Sequence, residues 1–230
     1  APGGCRPTGA RSRRWRRRGL RLALGFAAVL AIGNLAILAA SALARTTGPA
    51  PTLDVPDDVA AIRNFEALDQ TLWRGGASAP DDLRALAAAG VTTVVDLRAE
   101  HGLVIPADLL DELGLTRVAI PIRDGQTPTD AEVQRFLDVV DRSDGTVYLH
   151  CGAGVGRTGT LAAVYSVTRG GGGWDAMRAN LAVGPPSLEQ LAFAASLDAA
   201  QPPQRPNPAL VAVSRTFDAP RRLWKVIQGF

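Results

Sequence analysis

Cysteine and histidine are scarce in this chain of 230 residues, which contains only two of each. Two cysteines exclude a disulfide framework, and together with two histidines they do not make a conventional zinc site. We therefore predict no metal centre and no cofactor. The cysteines, Cys5 and Cys151, lie in very different parts of the sequence, and we interpret Cys5 as incidental.

Acidic residues are absent from the first 45 positions, where nine arginines give a formal charge of +9. The remaining residues carry 16 basic and 22 acidic side chains, which gives the rest of the chain a net charge of −6. The high isoelectric point, near 9.4, therefore comes from the N-terminal flank. Because the remainder of the chain is acidic, we predict no nucleic-acid binding.

Charged residues are also missing from residues 22–44, where only Asn34 and Ser41 are polar. A helix of this length extends ~34 Å and can cross the hydrocarbon core of a bilayer. We predict a single-pass transmembrane helix, a signal anchor, at 22–44, preceded by a basic cytoplasmic N-terminus at 1–21. Basic flanks stay in the cytoplasm, so the rest of the chain is expected on the extracytoplasmic side. Ala42-Leu43-Ala44 resembles a small-x-small cleavage site, and a cleaved secretion signal is the alternative.

Residues 45–55 are rich in threonine and proline and predict an extended linker. Beyond them, β-branched runs alternate with segments that carry helix start signals, including capping boxes at Thr129 and Ser187. The predicted strands are 72–76, 91–98, 115–122 and 145–151, and the predicted helices are 81–89, 106–113, 129–142, 157–169, 174–183 and 188–199. This alternation predicts an α/β fold, a three-layer α/β/α domain with a central, mostly parallel sheet at 56–200. The proline-rich tail, 201–230, is expected to dock back on that domain.

The most specific pattern occupies residues 147–160, where an apolar strand meets a glycine-rich turn and the start of a helix. Cys151 ends the strand, and Arg157 follows six residues later. Glycines allow successive backbone N–H groups to point at one centre, and a helix N-terminus adds further N–H groups. Arg157 can bind two phosphate oxygens at once, and the same positive field favours a thiolate at Cys151. The predicted phosphate-binding loop comprises Gly152, Ala153, Gly154, Val155, Gly156 and Arg157.

Residues 150–160 match, without a gap, a pattern known from one enzyme family. They resemble the His-Cys-x5-Arg-Ser/Thr signature of the cysteine-dependent protein tyrosine and dual-specificity phosphatases. The resemblance implies that Cys151 attacks phosphorus to form a phosphocysteine, which water then hydrolyses. It also implies that His150 orders the loop. Thr158 is placed to hydrogen-bond the sulfur and to assist its departure in the second step.

Departure of an alkoxide or phenoxide requires a proton, so a general acid should face the loop. Asp124 is our candidate, because it follows the strand at 115–122 and precedes Cys151 by 27 residues. In the family, the aspartate that acts as the general acid similarly lies on a mobile loop after the preceding strand. Asp96, at the end of a neighbouring strand, is the alternative, although we expect it to pair with Arg98. His101 is a weaker candidate for lining the cleft.

The function predicted from these residues is that of a membrane-anchored phosphatase acting on phosphotyrosine, with phosphoserine and phosphothreonine as additional candidates. The expected partners are a phosphoprotein or small phosphomonoester substrate and, through residues 22–44, a membrane. The oligomeric state is not predicted. Alternatives are a lipid or inositol phosphate phosphatase, a phosphate-binding pseudophosphatase module and, more weakly, a rhodanese-like sulfur transferase. Uncharged variable loop positions argue against polyphosphorylated inositides, and retention of Cys151 and Arg157 argues against a pseudophosphatase.

Overall fold

The computed structural model describes residues 9–47, 53–100 and 105–227, with side chains described between residues 19 and 219 of those ranges. Cys5, His101 and residues 48–52 of the predicted linker lie outside the described residues. The described helices are α1 (Gly9–Thr47), α2 (Asp57–Ala60), α3 (Pro80–Ala88), α4 (Ala107–Leu113), α5 (Asp130–Arg142), α6 (Gly156–Thr168), α7 (Gly173–Val183), α8 (Leu188–Ala195) and α9 (Pro208–Ile227). The described strands are β1 (Glu66–Ala67), β2 (Leu72–Gly75), β3 (Val91–Arg98), β4 (Thr116–Ile122) and β5 (Thr146–His150).

The strands form one sheet in the order β1-β2-β5-β3-β4. β1 runs antiparallel to β2, and the other neighbours are parallel, which confirms the predicted mostly parallel sheet. His150, the last residue of β5, is aligned with Gly75 of β2 on one side and with Asp96 of β3 on the other. Because parallel strands end at the same edge of a sheet, the ends of β2, β3 and β5 converge beside Cys151.

Side chains of the central strands alternate between two faces, and each face is covered by its own helices. Val94 and Tyr148 pack on one face together with residues from α2, α3 and α4. Val95 and Leu149 pack on the opposite face with residues from α5, α6 and α8. Two buried cores on opposite faces of one sheet confirm the predicted three-layer α/β/α arrangement.

Some secondary-structure elements differ from the prediction. α8 ends at Ala195 and does not continue to residue 199 as predicted. The Asp198 side chain accepts a bond of 3.0 Å from the backbone N–H of Ala200, and such local acceptors terminate helices. The four-residue α2 and the two-residue β1 were not predicted, because elements this short show no periodicity.

Helix α1 is longer than the predicted 22–44 segment at both ends and includes residues 45–47, which were wrongly predicted as linker. The C-terminal part of α1 contacts the C-terminal end of α7. The Ser41 hydroxyl donates to the Leu181 carbonyl at 2.7 Å, and the Arg45 guanidinium donates to the Ala182 and Val183 carbonyls at 3.0 and 3.2 Å. A cation is favourable there, because the last carbonyls of a helix carry partial negative charge.

Most of the apolar surface of α1 remains uncovered by the rest of the protein. Within the described residues, Gly19–Thr47 is the one helix long and apolar enough to cross a bilayer. Large apolar side chains are more than half exposed along its length. They are Leu20, Leu22, Leu24, Phe26, Val29, Ile32, Leu35, Leu38 and Leu43.

The C-terminal tail contains α9, a helix of 20 residues that was not predicted. It docks on the domain, as expected, since Ser214 accepts a bond of 3.0 Å from the backbone N–H of Glu189 in α8. It also contacts α1, where the Phe217 ring lies so close to Gly33 that any side chain at Gly33 would collide with it. The prolines of the tail obscured this helix, although all four of those within 201–219 precede or begin it.

Candidate active site

The loop between β5 and α6 begins with Cys151, whose side chain is 3% exposed, and leads directly into the first turn of α6. Gly154 has a φ of +76°, a backbone conformation that residues other than glycine rarely adopt. An added Cβ at Gly154 would also collide with the carbonyl of Gly75. The close approach of β2 to this loop therefore requires glycine at residue 154.

Donors outside the loop bind its carbonyl groups. The Asn64 side-chain amide donates to the Ala153 carbonyl at 2.7 Å, and the backbone N–H of Ala77 donates to the Gly152 carbonyl at 3.1 Å. The carbonyl and N–H of a peptide unit point in opposite directions. Carbonyls that face outward therefore turn the neighbouring N–H groups toward the centre of the loop, where they form an anion-binding concavity.

A buried arginine, Arg74 of β2, supports the outer side of the same loop. Its guanidinium donates to the Gly154 carbonyl at 2.7 Å and to the Asn180 side chain of α7 at 3.1 Å. Glu66 of β1 lies 3.6 Å from the other guanidinium nitrogen. Burial lowers the pKa of Arg74, and the negative charge of Glu66 partly opposes that effect. The hydrogen bonds of Arg74 hold the loop against β2 and α7.

Arg157, in the first turn of α6, is 2% exposed and surrounded by acceptors. Its two terminal nitrogens each donate to Glu100 at 2.7 Å, and one of them also donates to the Ile122 carbonyl at 3.1 Å. Burial alone would lower the pKa of Arg157, but the hydrogen bonds to Glu100 and nearby negative charges raise it. Among the described residues, the buried Arg157 Nε and Thr158 Oγ1 have no hydrogen-bond partner. These two polar atoms remain available for a ligand beside Cys151.

Asp124 lies in the loop after β4, and one of its carboxylate oxygens is 3.5 Å from Arg157 Nη2. Its side chain is 43% exposed, so it faces both the loop and solvent. The structure therefore places Asp124 beside Arg157, at the end of the loop at 152–157. Glu100, which follows β3, lies against the same guanidinium group and was not predicted.

Asp96 is placed differently from Asp124, because cationic side chains bind both of its oxygens. Arg98 donates two side-chain bonds of 2.9 Å, and Arg117 donates one of 2.7 Å. Burial alone would raise the pKa of Asp96, but these hydrogen bonds and the His150 ring hold it far below its usual range. The expected pairing with Arg98 is confirmed. A carboxylate that stays ionised and bound in this way is unsuited to donate a proton.

His150 is buried and immediately precedes Cys151. Its Nδ1 is 3.2 Å from the Cys151 carbonyl, its Nε2 is 3.9 Å from Asp96, and its ring stacks on Tyr148 at 5.9 Å. Burial lowers the pKa of His150, which favours the neutral ring. Since a carbonyl oxygen only accepts, the Nδ1 atom carries the proton and donates a hydrogen bond to the Cys151 carbonyl. This geometry suits a supporting residue.

A family model described as the DSP-PTPase phosphatase fused to NAD⁺ kinase matches residues 57–196. The chain belongs to this phosphatase family. The human dual specificity protein phosphatase CDC14C is 41% identical over 75 residues, which cover 33% of this chain and 16% of that protein. The rice protein named probable NAD kinase 2, chloroplastic, is 32% identical over 120 residues, which cover 46% of this chain and 11% of the relative. The chain thus spans less than a fifth of either relative.

The same fold occurs in the core catalytic domain of the PP-IP phosphatase SIW14 from S. cerevisiae, solved in complex with citrate. The two structures superpose with a TM-score of 0.51 at 14% sequence identity, over 60% of this chain and 86% of the yeast domain. At this identity the likeness establishes the phosphatase fold alone.

No role in the site was predicted for Asn64, Arg74 or Glu100, because their contacts are distant along the chain. Asn64 and Arg74 bind the loop from 89 and 80 residues away, and Glu100 binds Arg157 across 57 residues. A weak signal existed for Arg74, since a charged residue within the short apolar strand at 72–76 suggests a buried ionic role. In the described parts of the chain, no cluster of three or more metal-binding side chains occurs.

Proposed function

We propose that this phosphatase hydrolyses phosphotyrosine monoesters, and also phosphoserine and phosphothreonine monoesters, through a phosphocysteine intermediate. The observation that carries the proposal is the constellation around residues 151–157. Cys151 directly follows β5 at the start of a glycine loop, and Arg157 retains an unpaired, buried Nε. A tetrahedral dianion bound there would receive loop N–H groups and charge-assisted bonds from the guanidinium group.

In the first step, the Cys151 thiolate attacks phosphorus, a P–S bond forms, and the bond to the leaving oxygen breaks. Asp124 then protonates that oxygen, and its carboxyl group lying 3.5 Å from Arg157 Nη2 supports this role. In the second step, water attacks phosphorus and the P–S bond breaks. Asp124, now ionised, takes the proton of the water, and the Thr158 hydroxyl donates to the departing sulfur.

The loop composition supports a substrate with a single phosphate group. Its variable positions, Gly152, Ala153, Val155 and Gly156, carry no charge. A substrate with several phosphates would gain more from basic side chains at these positions than from glycine or alanine. Within the loop, the positive charge that faces the ligand therefore resides in Arg157, and this one guanidinium group suits a substrate with one phosphate.

A substrate panel tests this assignment on the full chain in detergent. We expect kcat/KM for a phosphotyrosine peptide to exceed that for phosphatidylglycerophosphate or phosphoinositide vesicles by at least about tenfold. Each substrate is also assayed with the Cys151→Ser variant, which detects contaminating phosphatases. A preference for either lipid would contradict the protein-substrate assignment while leaving the cysteine chemistry intact.

Membrane anchoring through α1 is a second part of the proposal. The exposed apolar side chains of α1 support insertion in a bilayer, where their contact with water would be removed. Contacts with the domain support retention of the helix over cleavage near residue 44. Cleavage would remove the Ser41 hydroxyl from Leu181 and would uncover Phe217, which packs on Gly33.

The charge asymmetry around α1 leads to a prediction of orientation. Eight arginines precede residue 22 and only Arg45 follows the apolar run directly, so the N-terminus should stay in the cytoplasm. We expect protease added to intact cells or spheroplasts to digest the phosphatase domain. A cytoplasmic marker protein must remain uncut in the same sample. Protection of the domain until the membrane is broken would reverse the proposed orientation.

A further inference from the structure

Glu189, the second residue of α8, is a carboxylate that is buried outside the phosphate-binding loop and is 4% exposed. One oxygen lies 3.4 Å from both the backbone N–H and the hydroxyl of Thr127. The other faces Arg215 Nε of α9 at 3.9 Å. The backbone N–H of Glu189 donates to Ser214 at 3.0 Å. Glu189 therefore connects α9 with the loop that carries Asp124.

The first turn of α8 binds three consecutive residues of that loop. The Ser187 hydroxyl donates to the Gly125 carbonyl, and the Gln190 amide donates to the Gln126 carbonyl, both at 3.0 Å. Glu189 contacts the next residue, Thr127, and is the one charged member of this set. The three contacted residues directly follow Asp124 in the chain. Their contacts therefore determine how closely the Asp124 side chain approaches Arg157.

Helix capping does not explain the presence of a glutamate at residue 189. Ser187 and Gln190 already form a complete capping box around it. Burying a carboxylate is costly unless hydrogen bonds or charges compensate. The compensation comes from Thr127 and Arg215, together with the positive end of the α8 dipole. The Glu189 side chain thus contacts the Asp124 loop on one side and α9 on the other.

We propose that Glu189 is a positioning residue for Asp124. It holds the loop at 123–128 in the position from which the Asp124 carboxyl group reaches the leaving oxygen. This inference rests on the proposed role of Asp124 as the general acid. Loss of the Glu189 carboxylate releases Thr127 and lets Asp124 withdraw from Arg157. Only the step that needs a proton then slows, because Cys151 and the phosphate-binding loop are held by other contacts.

A leaving-group series on the full chain tests the proposal, with aryl phosphates that range from strongly acidic to weakly acidic leaving groups. For Glu189→Ala we expect kcat to fall ~10-fold on the substrate with the least acidic leaving group and less than ~2-fold on the one with the most acidic. The ~10-fold loss is smaller than the full contribution of general acid catalysis, because Asp124 is still present. Glu189→Gln keeps an oxygen acceptor for Thr127 and should restore kcat to within ~2-fold of wild type. Glu112→Ala, at an exposed glutamate of α4, is the matched control.

The Asp124→Ala variant separates the two hypotheses. If Asp124→Ala slows all leaving groups equally, the general acid is misassigned. If Asp124→Ala shows the leaving-group dependence but Glu189→Ala slows all substrates equally or none, the positioning role of Glu189 is wrong. The double variant should be no slower than Asp124→Ala alone. Should Glu189→Ala fail to fold, Thr127→Val removes only the hydroxyl donor, and an unchanged leaving-group dependence in it would overturn the proposal.

Discussion

Replacing Cys151 with serine is expected to abolish turnover while leaving the binding of tungstate, a phosphate analogue, largely intact. The proposed mechanism needs a thiolate as nucleophile, whereas a serine hydroxyl remains protonated at neutral pH and is a far weaker nucleophile. Binding persists because the ligand contacts come from the loop N–H groups and from Arg157, which the substitution leaves in place. Steady-state kinetics measures the first effect, and calorimetric titration with tungstate measures the second.

Two variants control for this result. Arg157→Lys should lose both turnover and tungstate binding, because a point charge does not replace the bidentate fork. Cys5→Ser should behave as wild type, which would show that the loss depends on the loop thiol and not on cysteine content. Turnover by Cys151→Ser near the wild-type rate would exclude the phosphocysteine mechanism and would require a different hydrolytic site.

Replacing Asp124 with alanine should lower the rate on alkyl or tyrosyl phosphates by roughly 10²–10⁴, the usual contribution of general acid catalysis. Substrates with acidic leaving groups should lose much less, because such groups depart without a proton. The measurement is kcat across a series of aryl phosphates, plotted against the acidity of the leaving group. A steeper dependence in the variant than in wild type is the expected signature.

Asp130→Ala serves as the matched control for this substitution. Asp130 is an exposed aspartate in the first turn of α5, six residues from Asp124, and its removal should leave kcat unchanged. Equal losses across the leaving-group series would mean that Asp124 is structural. Glu100 would then be the next carboxylate to test, because it also contacts Arg157 and is 47% exposed. Asp96 is excluded from that role by its bonds to Arg98 and Arg117.

The phosphate-binding loop could be predicted from the sequence because its parts are adjacent along the chain. A strand, three glycines and a helix start constrain the backbone within about ten residues, so Cys151 and Arg157 lie together whatever the rest of the fold does. The helices that begin after Thr129 and Ser187 were predicted for the same reason. In both, the capping residue binds a partner three positions away, and the structure shows both capping boxes complete.

Position along the strands also located Asp124. A residue that follows a parallel strand lies at the carboxyl edge of the sheet, whichever place that strand takes in the sheet. Asp96 met the same condition, and only its ion pairs distinguished it from Asp124. Arg98 was visible two residues away, whereas Arg117 reaches Asp96 from β4 because β3 and β4 are neighbours.

The remaining parts of the site depended on tertiary structure. Arg74 binds the loop because β2 pairs with β5, and Glu189 meets Thr127 because α8 packs beside the loop after β4. Strand order and helix packing arise from burial of whole faces, and alternation along the chain does not specify which faces meet. The docking of α9 on α1 through Phe217 and Gly33 follows the same rule. The sequence by itself determined the chemistry of the loop, and the packing of distant segments decided which side chains hold it in place.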